Sequence, residues 1–312
     1  MCDQKEKDKY PVFQIKTYDK IEQLGTKEKF WFYSESDKTV RLCKVGRPGT
    51  GENWDEKVTG ELAKLLTIPC ASYDFAVWMD KECVISPSFV PPYYRLIHGN
   101  ELLSSFVAKD YPKNQKYKVT KYKLSAVEEL LVSLNKHKRL MLPIGFTAND
   151  SIESAMDIFI SYLLFDCFIS NPDRHHENWG ILLDNKSQKY HLAPTYDHAS
   201  GLGCRVSDEE REKRLSTKDK RYTIGSFVNR PRTPFYDNGS NRLKIIDAFT
   251  SLAKKNKIAA NYWLNKLETV PDEAILNIFN KIPDDLISRV AINFAVSILK
   301  ENKKRLLTTK KN

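Results

Sequence analysis

Glycine is scarce in this chain, 12 residues in 312, and proline contributes 14, so neither a fibrous nor a low-complexity protein is possible. No C-x-x-C pair occurs among the six cysteines, Cys2, Cys43, Cys70, Cys83, Cys167 and Cys204. Their irregular spacing, in a chain long enough to build its own core, predicts reduced thiols rather than a disulfide framework. No apolar run reaches the ~20 residues that a membrane-spanning helix needs. The most apolar stretch, residues 156–170 (MDIFISYLLFDCFIS), is interrupted by Asp157 and Asp166. The first ten residues, MCDQKEKDKY, are charged and lack the apolar centre of a secretory signal. A cytoplasmic protein is expected, with room for export by a specialised secretion system.

Hydrophobic residues make up 41% and charged residues 29%, the balance of a folded globular chain. The formal net charge is +10. A basic protein invites a nucleic-acid or membrane-surface reading, but the excess is local. Residues 109–123 hold six Lys against one Asp, and residues 300–312 hold six basic residues against one Glu. Outside these segments the charges balance. A basic surface loop and a solvated tail are expected, and direct nucleic-acid binding is disfavoured.

The first ~90 residues read as strands with one helix. Alternation marks strands near residues 13–16, 29–33 and 39–45, a helix spans 54–67, and two more strands fall at 73–78 and 82–86. Residues 86–94 (SPSFVPPYY) read as a connector. Helices are then expected at 123–136, 151–169, 240–255, 257–268, 271–280 and 284–302, interrupted by one hairpin at 179–193. The fold class is α+β, with a β-rich N-terminal part over residues 1–90 and a helical part over 91–312. In the last helix Leu286, Val290, Phe294 and Ile298 form a stripe expected to face the core.

Chemistry concentrates in residues 170–203, SNPDRHHENWGILLDNKSQKYHLAPTYDHASGLG. Phosphoryl transfer needs one carboxylate to take the proton of the attacking hydroxyl and oxygen ligands to hold Mg²⁺ against the phosphates. Protein kinases place the base Asp and a metal-binding Asn five residues apart, and supply a second metal Asp after a short hairpin. Asp173, Asn178 and Asp197 repeat that order and spacing. The base would be Asp173, and the metal ligands Asn178 and Asp197. Four histidines, His175, His176, His191 and His198, crowd the same stretch, but their spacing matches no zinc pattern. A structural hydrogen bond within the loop is expected of His175.

The string Asn171, Asp173, Arg174, His175, Asn178, Gly180, followed after the hairpin by Pro194, Tyr196 and Asp197, resembles the HipA-like kinase family. The resemblance implies a bilobed protein-kinase-like fold, Mg²⁺-ATP as cofactor, and phosphorylation of serine or threonine hydroxyls on protein. Some members are toxins neutralised by a small helix-turn-helix partner, and others are bacterial effectors. Lys44, at the end of an apolar strand, stands where a kinase keeps its phosphate-binding lysine, and Glu56 on the next helix could pair with it. Residues 24–30 (LGTKEKF) are similar to the family's short phosphate loop, with Gly25, Thr26, Lys27 and Lys29 as contacts. The adenine would lie near Ser86 and Phe89. Family members often carry an inhibitory phosphoserine three residues before the loop glycine; Glu22 stands there, leaving Thr26, Ser216 and Thr217 as substitute hydroxyls.

Two other readings start from the same residues. A shorter D-R-H-x-x-N also occurs in phosphatidylinositol kinases, which makes a lipid headgroup the rival substrate. A catalytically silent binding module is the second rival, though Lys44, Asp173, Asn178 and Asp197 are all present. Residues 208–221 read equally as a substrate-presenting activation segment and as a solvated helix or loop.

Overall fold

A computed structural model describes residues 8–16, 19–21, 27–106, 110–136 and 139–310. A six-stranded sheet occupies the N-terminal part, in the order β1 (Val12–Ile15), β5 (Asp74–Trp78), β6 (Lys81–Pro87), β4 (Thr39–Val45), β3 (Lys29–Ser34), β2 (Lys20–Ile21). All pairings are antiparallel except β1 with β5. Strand periodicity sorts its side chains onto two faces. Phe30, Phe32, Cys43, Ala76, Trp78, Cys83 and Ile85 make a small core on one face. The register then fixes the other face, because Lys29 lies opposite Lys44, Trp31 opposite Leu42, Leu42 opposite Ser86 and Lys44 opposite Val84. That face receives helix α1 (Glu52–Leu66), whose Val58, Leu62, Ala63 and Leu66 are buried against it and against the helical part.

Helix α4 (Ala155–Phe168) is the axis of the larger part and is buried on every side, which is why its apolar run shows no amphipathic period. Its expected start at 151 moves to 155 because Ser154 caps it: the Ser154 hydroxyl accepts from Asp157 N at 3.3 Å, and Asp157 Oδ2 accepts from Ser154 N at 2.8 Å. Around it pack α3 (Leu124–Lys136), α7 (Ile245–Ala253), α8 (Lys257–Thr269) and α10 (Arg289–Thr309), with α9 (Asp272–Asn280) bridging to α1. Helix α10 begins after its Ser288 cap, so Leu286 precedes it, while Phe294 and Ile298 are fully buried.

The structure corrects several expectations. The hairpin at 179–193 is the centre of a four-stranded sheet, β7 (Tyr94–His98), β9 (Gly180–Asp184), β10 (Tyr190–Leu192), β8 (Leu140–Met141). Strand β7 emerges from the end of the stretch read as a connector. Gly180 is required by that pairing, since a Cβ there would lie 2.4 Å from the Ile97 carbonyl oxygen. Residues 208–216 form a capped helix α5 with Arg211 and Arg214 buried, and it packs on α10. Helices α2 (Gly99–Phe106) and α6 (Ile224–Asn229) and strand β11 (Arg232–Tyr236) had no sequence expectation, and strand β12 (Arg242–Lys244) takes the first residues of the helix expected at 240–255, so that α7 starts only at Ile245. The basic segment is a loop with Lys113 and Lys118 exposed, as expected, but it is anchored: Tyr111, Val119 and Tyr122 are buried, and residues 111–122 lie across the loop that carries Asp173. Among the described residues no helix is long and apolar enough to cross a membrane.

Candidate active site

The sheet face opposite the small core opens into a cleft lined by Lys29, Trp31, Leu42, Lys44, Ser86, Phe89, Asn178, Tyr196 and Asp197. Strand register alone places the first five, because they alternate on β3, β4 and β6. Lys44 is buried, with its Nζ 2.7 Å from Glu56 Oε1 and 3.1 Å from Asp197 Oδ1. Burial works against its charge, but the two carboxylates outweigh burial and raise its pKa. The converse holds at Asp197. Burial opposes ionisation there, yet Lys44, Lys29 and Lys27 together hold its carboxyl well below the usual range. Lys29 is mostly desolvated, which lowers its pKa despite Asp197.

Asp197 has φ +60°, a left-handed backbone that costs a non-glycine residue energy. Its amide donates to the Tyr73 hydroxyl at 3.1 Å, and the next amide, His198 N, reaches Glu56 Oε2 at 3.4 Å. Glu56 therefore touches both Lys44 and the Asp197 turn. One position earlier, buried Asp55 accepts from Gly201 N at 2.8 Å and ties α1 to the same turn. Burial, with Glu56 adjacent, pushes the Asp55 carboxyl up to about 8 although Cys204 and Gly201 donate to it.

The Asp173 loop is built on Asp166, at the end of α4. Asp166 is buried and accepts two bonds from Arg174, Nε at 2.8 Å and Nη2 at 2.7 Å, and one from Asn171 Nδ2 at 2.8 Å. Arg174 Nη1 continues to the Asn178 carbonyl at 2.7 Å. Asn171 Oδ1 accepts from Asp173 N at 3.1 Å. Asn178 Nδ2 donates to the Asp173 carbonyl at 2.8 Å, which turns its Oδ1 away from that bond. Sequence reasoning missed Asp166 and took it for an interruption of an apolar helix. Its signal was a charge inside a run with no amphipathic period, which demands a buried partner. Asp173 itself is partly buried, which raises its pKa, while Tyr117 donates to its Oδ1 at 2.9 Å and Ser200 approaches its Oδ2 at 3.5 Å.

The histidines are loop braces. His175 Nδ1 accepts from Glu177 N at 3.2 Å, and burial lowers its pKa to about 4. His176 Nδ1 meets the Tyr111 hydroxyl at 2.8 Å. His198 Nε2 lies 2.9 Å from Thr195 Oγ1. At the sheet end of the cleft, Phe89 stacks on Tyr196 with centroids 5.3 Å apart, and Ser86 is buried beside them. Lys27 does not join Lys29 in the cleft wall. Its Nζ is 3.0 Å from buried Glu52, a carboxylate shared with Arg47 and Arg205. Glu22, Gly25 and Thr26 lie outside the described residues.

The donor chemistry suits a hard cation. Asn178 and Asp197 offer one amide and one carboxylate oxygen to the same cleft, and Mg²⁺ takes one or two carboxylates and completes its shell with phosphate and water. Among the described residues no three His, Cys, Asp or Glu side chains are grouped to hold a metal by themselves.

The model of the HipA-like C-terminal domain matches residues 25–257. The serine/threonine-protein kinase CtkA of Helicobacter pylori is 26% identical over 151 residues, 48% of this chain and 43% of that protein, so the match spans less than half of the relative. The crystal structure of a Helicobacter pylori proinflammatory kinase CtkA superposes with a TM-score of 0.71 over 96% of this chain and 97% of that one, at 18% identity. A chain of the Shewanella oneidensis toxin–antitoxin complex of HipA, HipB and operator DNA gives 0.56 over 95% of this chain and 66% of that one, at 12% identity. The two superpositions establish the bilobed α+β kinase-like fold. The family model covers most of the sequence, and the chain belongs to the HipA-like C-terminal domain family.

Proposed function

We propose that this protein is a Mg²⁺-ATP-dependent serine/threonine protein kinase that transfers the γ-phosphoryl group to a protein hydroxyl. One observation carries the reading: Lys44, Asp197 and Asn178 line one cleft, with Glu56 paired to Lys44 behind it and the Asp173 carbonyl bonded to the Asn178 side chain. When bound, Mg²⁺-ATP supplies the transferable phosphoryl group and the positive charge that neutralises its leaving oxygens. Asn178 and Asp197 would hold the metal. Lys44, kept charged by Glu56, would grip the α- and β-phosphates, with Lys29 and the loop residues Gly25 and Thr26 over them, while Lys27 stays paired with Glu52. The adenine would pass between Ser86 and Phe89, where apolar walls and backbone groups supply the contacts.

Asp173 is the general base. Burial raises its pKa above the ordinary carboxylate value, which makes it a stronger proton acceptor. Arg174 and Asp166 position it, and His175 stays neutral and braces the loop. Catalysis is then chiefly orientation and fixed charge. The partners in this reading are a protein substrate and, by likeness to the Shewanella complex, a small HipB-like protein, which co-purification would detect.

The test is incubation with γ-labelled ATP and Mg²⁺, wild type beside Asp173→Ala and Asp197→Ala, with a basic protein, a cell lysate and phosphoinositide vesicles as acceptors. Label on protein that disappears in both variants is expected. Label only on lipid would select a lipid kinase. No transfer to any acceptor, with no Mg²⁺-ATP binding by calorimetry, would leave a non-catalytic binding module.

A further inference from the structure

The hydroxyl of Tyr117 occupies the place where an acceptor hydroxyl must sit. It donates to Asp173 Oδ1 at 2.9 Å, the hydrogen bond a general base makes to the proton it removes. Resting on the kinase reading above, we infer that Tyr117 is a modification site, the chain's own acceptor, phosphorylated in cis.

The segment is built to deliver that side chain. Tyr111 is pinned to His176 at 2.8 Å, the Lys113 carbonyl accepts from Asn100 at 2.9 Å, and Lys116 pairs with Glu177 at 2.6 Å. On the far side the Tyr122 hydroxyl donates to the Arg174 carbonyl at 3.0 Å. Tyr117 is therefore tethered on both sides to the loop that carries Asp173, and a tether this short gives a high effective concentration of acceptor. The ring itself is held lightly. It is 52% exposed and meets the edge of His175 at 5.5 Å between centroids. The Asp173 bond sets its position more than packing does, and the ring can leave for water once modified. Lys118, the next residue, has φ +58°, a left-handed turn that shapes the chain just after the tyrosine.

Other hydroxyls are worse placed. Ser200 lies 3.5 Å from Asp173 Oδ2 and already accepts from Arg205 at 2.9 Å. Ser216 donates to the Glu212 carbonyl at the end of α5, and Thr217 accepts from Asp219 N.

In the step, Tyr117 Oη attacks the γ-phosphorus of ATP and forms the new O–P bond. The bond from that phosphorus to the β–γ bridging oxygen breaks, and its electron pair leaves on ADP. The phenolic proton passes to Asp173 Oδ1 and from there to water. The product is phosphotyrosine and ADP, with no other reactant. The phosphate dianion would stand beside Asp173 and Asp197, whose charges repel it out of the cleft.

The experiment incubates the full chain with γ-labelled ATP and Mg²⁺ and maps phosphate by mass spectrometry, with Tyr117→Phe and Asp173→Asn beside it. A tagged Asp173→Asn copy is also mixed with untagged wild type. The expected result is phosphate on Tyr117 in wild type, at a rate constant unchanged by dilution, and complete loss of that labelled fragment in both variants. The tagged copy should stay unlabelled at Tyr117 even in the mixture. Labelling of an added protein acceptor without phosphate on Tyr117 overturns the inference and leaves the kinase reading standing. Label on Tyr117 of the tagged copy overturns the cis assignment. No labelling of any protein, this chain included, overturns the kinase reading and this inference with it.

Discussion

The two ends of the cleft are held by different forces. At the sheet end, buried Lys44 pairs with Glu56 and with part-buried Asp197; the two carboxylates keep Lys44 charged, and Lys44 holds Asp197 ionised. At the loop end, Asp173 has no cation within salt-bridge distance among the described residues. Neutral donors, Tyr117 and Ser200, attend it, and burial raises its pKa. A phosphate grip needs permanent charge, whereas a base must exchange its proton. Buried pairing serves the first and would disable the second. The loop's own permanent charge pair, Asp166 with Arg174, sits one layer below, where it fixes geometry without touching the reacting atoms.

Variants separate the two ends. The largest expected effect comes from Asp166→Ala, which leaves Arg174 buried without its carboxylate. Removing one partner of a buried pair costs about 3–5 kcal/mol, read as a lower denaturation midpoint together with lost transfer. Asp173→Asn keeps the shape of the loop end and removes only the proposed base, so turnover should fall by about 10²–10⁴ while nucleotide affinity holds. Lys44→Met acts at the other end. Turnover should fall by about 10²–10³, and nucleotide binding should weaken in parallel. Equal loss of binding in both variants would erase the distinction.

The smallest effect concerns the strut between the ends. Asp55 holds its proton in the folded state up to a pKa of about 8, above its ordinary value near 3.8. Between those values the folded protein binds a proton the unfolded chain has released. This contribution is full below pH 4 and is lost as pH rises through 8. Asp55→Asn removes it, so melting temperatures of wild type and variant should shift in the variant's favour from pH 5 to pH 8. A constant difference would refute the buried, protonated assignment.

The legibility of the site follows the same division. The Asp173 loop and the Asp197 turn lie within 25 residues, and their chemistry is written in adjacent letters, so D-R-H-x-x-N and P-x-Y-D were readable. Lys44 was readable as the end of an alternating strand, because register fixes its face. Asp166 was missed, since an acid in an apolar helix calls for a buried partner but does not say that the partner is Arg174, eight residues on. Tyr117 was hidden by composition: six lysines in residues 109–123 look like solvated chain, while the tyrosines between them make the contacts. Strand β7 escaped because its pairing partner, β9, lies more than 80 residues away. Most helices were legible through their periods, and their starts shifted to side-chain caps such as Ser154 and Ser288.

The most direct test of the central claim is calorimetric titration of Mg²⁺-ATP into wild type, Lys44→Met and Asp173→Asn, with labelled phosphoryl transfer measured on the same samples. The account predicts that wild type binds and transfers, that Asp173→Asn binds like wild type without transferring, and that Lys44→Met is impaired in both. Transfer by Asp173→Asn at the wild-type rate, or wild type that neither binds nor transfers, would contradict it.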